Sequence, residues 1–157
     1  MSELRVPMQS LSVVVTTADG RSLAGQVFLP AASSLRAGPM RPEEWINEPA
    51  SFFPFLAEGS AGPTILLNKS QVAIVSLTSA GDDEDVAAED VGPKRKVVVE
   101  CGARRIEGML RIEMPAHHSR VLDHLNRSEP FLVLREGQRD HLIFKRHVTK
   151  VIEMRED

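Results

Sequence analysis

The chain holds a single cysteine, Cys101, in 157 residues, so no intrachain disulfide can form. That usage fits a reducing, cytoplasmic setting. Tyrosine is absent, tryptophan occurs once, and aromatic residues make up only 4% of the chain. Stacking platforms for unpaired bases are therefore scarce. No apolar run reaches the length of a membrane-crossing helix, and no membrane association is expected. The first residues carry an acid, Glu3, and lack an apolar segment followed by small residues, so they do not read as a secretory signal. Phosphate-cradling patterns of the GxGxxG or GxxxxGK[ST] type are missing. Neither paired carboxylates nor a nucleophile with its base stands out. The expectation is a protein that is not an enzyme, with no catalytic residues and no cofactor.

What is present describes a soluble globular protein, with 42% hydrophobic and 26% charged residues. Charge is unevenly placed. Residues 1–93 carry 5 basic against 12 acidic side chains, whereas residues 94–157 carry 14 against 10 and all five histidines. The two halves expose different surfaces.

The pattern along the chain is mostly that of β-strands. Val13–Thr17 is β-branched throughout, Asp19-Gly20 is a hairpin turn, and Leu23–Leu29 returns with Leu23, Gly25, Val27 and Leu29 on one face. After a loop over 30–41, Pro42 with Glu43 and Glu44 opens a short helix that Asn47 ends in a left-handed conformation. Strands are expected at Phe52–Leu56, Thr64–Leu67 and Val72–Leu77. The second half reads likewise, with strands at Lys96–Cys101 and Arg105–Met114. Ser119 caps a short helix that ends at Asn126, and further strands lie at Phe131–Leu134, Leu142–Phe144 and Val148–Met154.

The two passes superpose. Gly25 matches Gly108, Pro30 matches Pro115, Asn47 matches Asn126, Gly59 matches Gly137, and Lys69 matches Lys145. This spacing implies internal duplication. The expected organisation is an N-terminal arm at 1–10, repeat 1 at 11–78, an acidic linker at 79–93 and repeat 2 at 94–157.

Five short bent strands per unit tend to roll into a small barrel. The ending Leu142-Ile-Phe-Lys-Arg-His-Val148-Thr-Lys-Val151 is similar to the end of an Sm-like or SH3-like barrel, and Leu67, Val72 and Val75 repeat its spacing. The unit also resembles small bacterial domains of unknown function with an Arg-x-x-Asp-x-Leu-Asn segment. The resemblance implies a mainly β protein of two tandem five-stranded barrels, each with a short helix between its second and third strands. Sm-like proteins read RNA with an Arg-Gly pair at the final kink, where this chain has Phe144-Lys145 and Asn68-Lys69. The barrel carries over on this reading; the RNA site does not.

Two surfaces remain as candidate sites. Trp45, Phe52, Phe53 and Phe55 fall close together; most would fill a core, but Pro54 inside the strand points to an edge where a protein partner could dock. Lys94, Arg95, Lys96, Arg104, Arg105, Lys145 and Arg146 could form a basic rim for anions or nucleic acid. Cys101 reads as a half-buried structural thiol. His117, His118, His124, His141 and His147 fall at loops and strand ends, where solvent exposure is expected, and His124 lacks a helical second ligand for zinc. The expected function is a binding module acting through a protein partner or self-assembly. Nucleic-acid binding ranks second and a small-molecule or metal-responsive sensor third.

Overall fold

The computed structural model of the chain describes residues 8–30, 41–59, 64–78, 94–112, 121–127 and 129–154. The expected linker at 79–93, the loop at 31–40, Pro115 and the capping residue Ser119 lie outside these residues. The described residues form ten strands and two short helices. In order they are β1 (Met8–Thr17), β2 (Ser22–Pro30), α1 (Pro42–Ile46), β3 (Phe52–Ala57), β4 (Ile65–Asn68) and β5 (Val72–Thr78). Then come β6 (Lys94–Cys101), β7 (Arg104–Arg111), α2 (Val121–Leu125), β8 (Phe131–Glu136), β9 (Arg139–Phe144) and β10 (Val148–Glu153). A single 3-10 turn joins β4 to β5, and another joins β9 to β10.

The protein is mainly β, as the alternation of apolar and polar residues predicts. Two local expectations need correction. Residues 8–10 are not part of an arm but the start of β1, paired with the end of β2 from Met8 opposite Pro30 onward. Asn47 does end α1, but at φ −86, in right-handed backbone. Its own N–H bonds back to the Trp45 carbonyl, so no left-handed residue is needed there.

Each half pairs its strands in the same sequence. β5 lies beside β1, followed by β2, β3 and β4, while β10 lies beside β6, followed by β7, β8 and β9. β5 of the first half also pairs with β9 of the second, Ile74 opposite Ile143 and Ser76 opposite His141. The ten strands therefore form one antiparallel sheet with β10 and β4 at its ends. The halves are joined by main-chain hydrogen bonds.

The packing is joined as well. One core gathers Val13, Val15, Val27, Leu29, Trp45, Ile46, Phe53, Phe55, Val72 and Val75 with Leu142 and Phe144 from β9. The other gathers Val97, Val99, Leu110, Ile112, Leu132, Leu134 and Ile143 with Ala73 and Ile74 from β5. Strands β5 and β9 are thus walls with a core on either side. Val72–Val75 in β5 and Leu142–Phe144 in β9 run as uninterrupted apolar sequence because both faces are buried there.

Two close approaches fix each half. A Cβ on Gly25 would sit 2.2 Å from the Leu56 carbonyl oxygen, and one on Gly108 would sit 2.6 Å from the Arg135 carbonyl oxygen. Hydrogen is the only side chain that fits at such distances. In addition, the Lys69 ammonium donates to the carbonyls of Trp45 and Glu48 at 3.3 and 2.7 Å, and Lys145 donates to the Arg127 carbonyl at 2.9 Å. Each lysine adds a charged donor to carbonyls where a short helix ends, and its charge suits that negative pole. Burial pulls both ammonium groups below the ordinary lysine range; Glu48 partly offsets this at Lys69, and Glu129 at Lys145.

Candidate functional site

The junction of β5 and β9 carries a polar chain next to its apolar pairs Ile74–Ile143 and Val75–Leu142. Ser76 Oγ lies 2.6 Å from His141 Nδ1, and His141 Nε2 lies 3.0 Å from Glu136 Oε1. Neutral His141 satisfies both contacts when its Nε2–H donates to the carboxylate and the Ser76 hydroxyl donates to Nδ1. His141 is 6% exposed and Ser76 8% exposed, so the expectation that His141 faces solvent is corrected. The signal for this was a polar residue at each of two apolar runs, Ser76 within Val72–Leu77 and His141 at the head of Leu142–Phe144. A serine–histidine–glutamate sequence invites comparison with a hydrolytic triad, but Ser76 sits between Val14 of β1 and His141 of β9 in the sheet interior. A nucleophile there has no face open to substrate. The chain is a buried hydrogen-bond link between the halves.

The seven basic residues nominated for a rim divide: Arg104, Arg105, Lys145 and Arg146 lie toward the Cys101 end of β6, where Arg104 and Val148 both pair with Cys101, and the other three lie apart. Lys94, Arg95 and Lys96 open β6, while Arg104 and Arg105 follow the turn at its far end, roughly 13–23 Å away at strand spacing. Lys96 pairs with Glu107 and Arg105 with Glu100, each at 2.9 Å. Arg104 donates to the Ser22 hydroxyl of the other half. Arg146 lies over the Phe144 ring at 5.5 Å, and the Lys145 ammonium donates to the Arg127 carbonyl. The face is one of mixed, paired charge.

Cys101 is buried more completely than expected, at 4% exposure, and burial pushes its thiol up. A protonated, enclosed thiol is a poor nucleophile. Native protein is expected to react with a maleimide at least tenfold more slowly than protein in denaturant. Equal rates would show that the thiol is open. Among the described residues no group of three or more His, Cys, Asp or Glu side chains could hold a metal ion. His117 and His118 lie outside the described residues. A cavity of about 180 Å³ lies beside the β2–β3 contact, lined by Gly25, Gln26, Leu56 and Glu58 among others. It is smaller than ordinary small-molecule sites, which start near ~300 Å³.

The aromatic group divides. Trp45, Phe53 and Phe55 are buried, and the Trp45 and Phe53 rings meet edge to face at 5.0 Å. These three belong to the core and not to a docking edge. Phe52 faces out, 55% exposed. Pro54 is tolerated because β3 pairs there with β4 alone, the contact with β2 being confined to Leu56 and Ala57.

The edge itself is β4. Among the described residues it pairs only with β3, through Asn68, Leu67, Leu66 and Ile65. Leu66 is 67% exposed and Ile65 38% exposed, and no residue of the strand is charged. The other end strand, β10, carries Lys150 and Glu153. Edge strands left flat and apolar are open to pairing with another chain, and lysine on an edge discourages it. Sequence reading placed the edge one strand too early, on the aromatic residues.

No family model, curated protein or solved structure matches this chain. Among the described residues no helix is long and apolar enough to cross a membrane.

Proposed function

We propose that this chain is a non-enzymatic, cytoplasmic binding module that takes a protein partner by strand addition at β4. The observation that carries this reading is an uncharged edge strand with Leu66 and Ile65 exposed, beside exposed Phe52. In strand addition the free main-chain groups of the edge supply hydrogen bonds, and alternate side chains supply selectivity. Charge pairing and the separation of the basic clusters favour this over a nucleic-acid surface.

The fold reading attached to this proposal is two Sm-like or SH3-like barrels that arose by duplication. It is supported by the strand order common to the halves, a helix before the third strand of each, and a 3-10 turn before the fifth. The paired roles of Gly25 with Gly108 and Lys69 with Lys145 support it further.

A pull-down from native lysate, with and without nuclease, tests the functional reading. Proteins retained by the native chain are expected to resist nuclease and to be lost on Leu66→Lys. Retention that nuclease abolishes and Leu66→Lys leaves intact would replace the edge with a nucleic-acid surface.

A further inference from the structure

The two ends of the sheet are unequal, and that inequality decides what sits on β4. The β5–β9 junction shows how this fold accepts a strand, with Ile74 opposite Ile143 and Val75 opposite Leu142, all four buried. In the second half β10 occupies the place of β5, since Val151 lies opposite Val99 as Val75 lies opposite Val15. Lys150 therefore stands where Ile74 stands. Its ammonium lies 3.7 Å from Glu100, with 59% of the side chain exposed. A strand arriving at β10 as β9 arrives at β5 would bury that ammonium against an apolar side chain. Glu100 stays beside the ammonium, but burying a surface ion pair under an apolar strand strips both charges of water, a cost that a single contact at 3.7 Å does not offset. Head-to-tail stacking of copies, β10 on β4, is penalised at this residue.

An apolar edge with no charge to select a different partner complements itself. We propose, building on the edge reading above, that the occupant of β4 is β4 of a second copy, related by a two-fold axis normal to the sheet. Antiparallel pairing keeps inward residues on the inward face only if paired residue numbers have an even sum. The centred register sets Leu66 opposite Leu66 of the second copy and Ile65 opposite its Leu67. Pro54 already lies opposite Leu66, and Phe55 opposite Ile65. The outer face then carries an unbroken row of Pro54, Leu66 and their copies, and the inner face extends from buried Phe55 through Ile65. With β10 guarded at both far ends, assembly stops at two.

The test is sedimentation of the native chain together with a single cysteine variant, Leu66→Cys. The native chain is expected to sediment at twice 17.3 kDa. Leu66→Cys alone is expected to convert from no crosslinked species to a predominant disulfide-linked dimer under mild oxidation. The native chain, whose Cys101 is buried, is expected to give none. Leu66→Lys is expected to halve the sedimenting mass with an unchanged circular dichroism spectrum. Crosslinking that instead requires mixing Ile65→Cys with Ile152→Cys chains would show head-to-tail pairing and overturn the two-fold arrangement. A native chain that is monomeric at every concentration, with no crosslink at 66, would overturn self-pairing. In that case proteins lost from the lysate on Leu66→Lys would still uphold the edge reading, and their persistence would remove both.

Discussion

Residues 94–157 produced alone are expected to show no cooperative unfolding transition, and residues 1–78 alone to show none either. Co-expressed as two chains, divided between 79 and 93, they are expected to recover one. The reason is the double-sided junction. Without the first half, the second loses Ala73 and Ile74 from its core and the whole ladder between β5 and β9. It also exposes Leu142 and Phe144, which are 1% and 3% exposed in the intact chain. Each large side chain is worth about 1.5–3 kcal/mol on burial, against a total stability of about 5–15 kcal/mol for a domain. Losing two such residues, the strand contact and the buried partner of His141 removes most of what a unit this small can gather. Urea titration followed by circular dichroism would decide the matter. A cooperative transition in either isolated half would show that the shared wall is dispensable.

Gly25→Ala is expected to destabilise the protein by about 3 kcal/mol or more. The new methyl would meet the Leu56 carbonyl oxygen at 2.2 Å and the Phe55 ring at 2.6 Å. Phe55 is 0% exposed and cannot swing aside, and the carbonyl belongs to the backbone of β3. Relief requires β2 and β3 to separate where they pair through Gly25 and Gln26. Gly20→Ala supplies the comparison. Its Cβ would meet nothing within 4 Å, and only the positive φ of 91° opposes it, at a cost of about 1–2 kcal/mol. Gly108→Ala, meeting the Arg135 carbonyl oxygen at 2.6 Å, belongs with Gly25→Ala. Denaturation midpoints at constant m-value give the ranking directly. Equal losses at Gly20 and Gly25 would mean that the sheet yields at the close approach without penalty.

Strand placement was legible because a half-buried strand alternates. In β7, Gly108 and Leu110 are buried while Glu107 and Arg111 are exposed, as the sequence alone indicates. The same alternation separates Phe52 from Phe53, and applied residue by residue it divides the aromatic cluster without a structure. The junction was harder to see. Val72 to Val75 and Leu142 to Phe144 are uninterrupted apolar runs, the mark of burial on both faces. Such a run does not say which distant strand covers the second face. Ser76 and His141 then look like stray polar residues until β5 and β9 are set side by side.

The basic residues show another limit. Their number is plain in the sequence, but a hairpin with strands eight residues long carries one cluster to each end. Their carboxylate partners come from neighbouring positions across the ladder, which charge counting does not reveal. The shared lysines were legible as parts of the scaffold. Their task was not, because it depends on where a helix end lies relative to a turn more than twenty residues further on in one case, at Trp45 and Lys69.

The Ser76–His141 contact spans 65 positions of chain. Local hairpins such as β1–β2 and β6–β7 can close early, since their strands adjoin in sequence. The wall between the cores must wait until both halves carry enough structure to present β5 and β9 to one another. Folding speed is then governed by a late, long-range encounter. The Ser76–His141 bond favours one alignment of β5 with β9, because a slip of one residue breaks it and sets His141 opposite Val75 or Leu77.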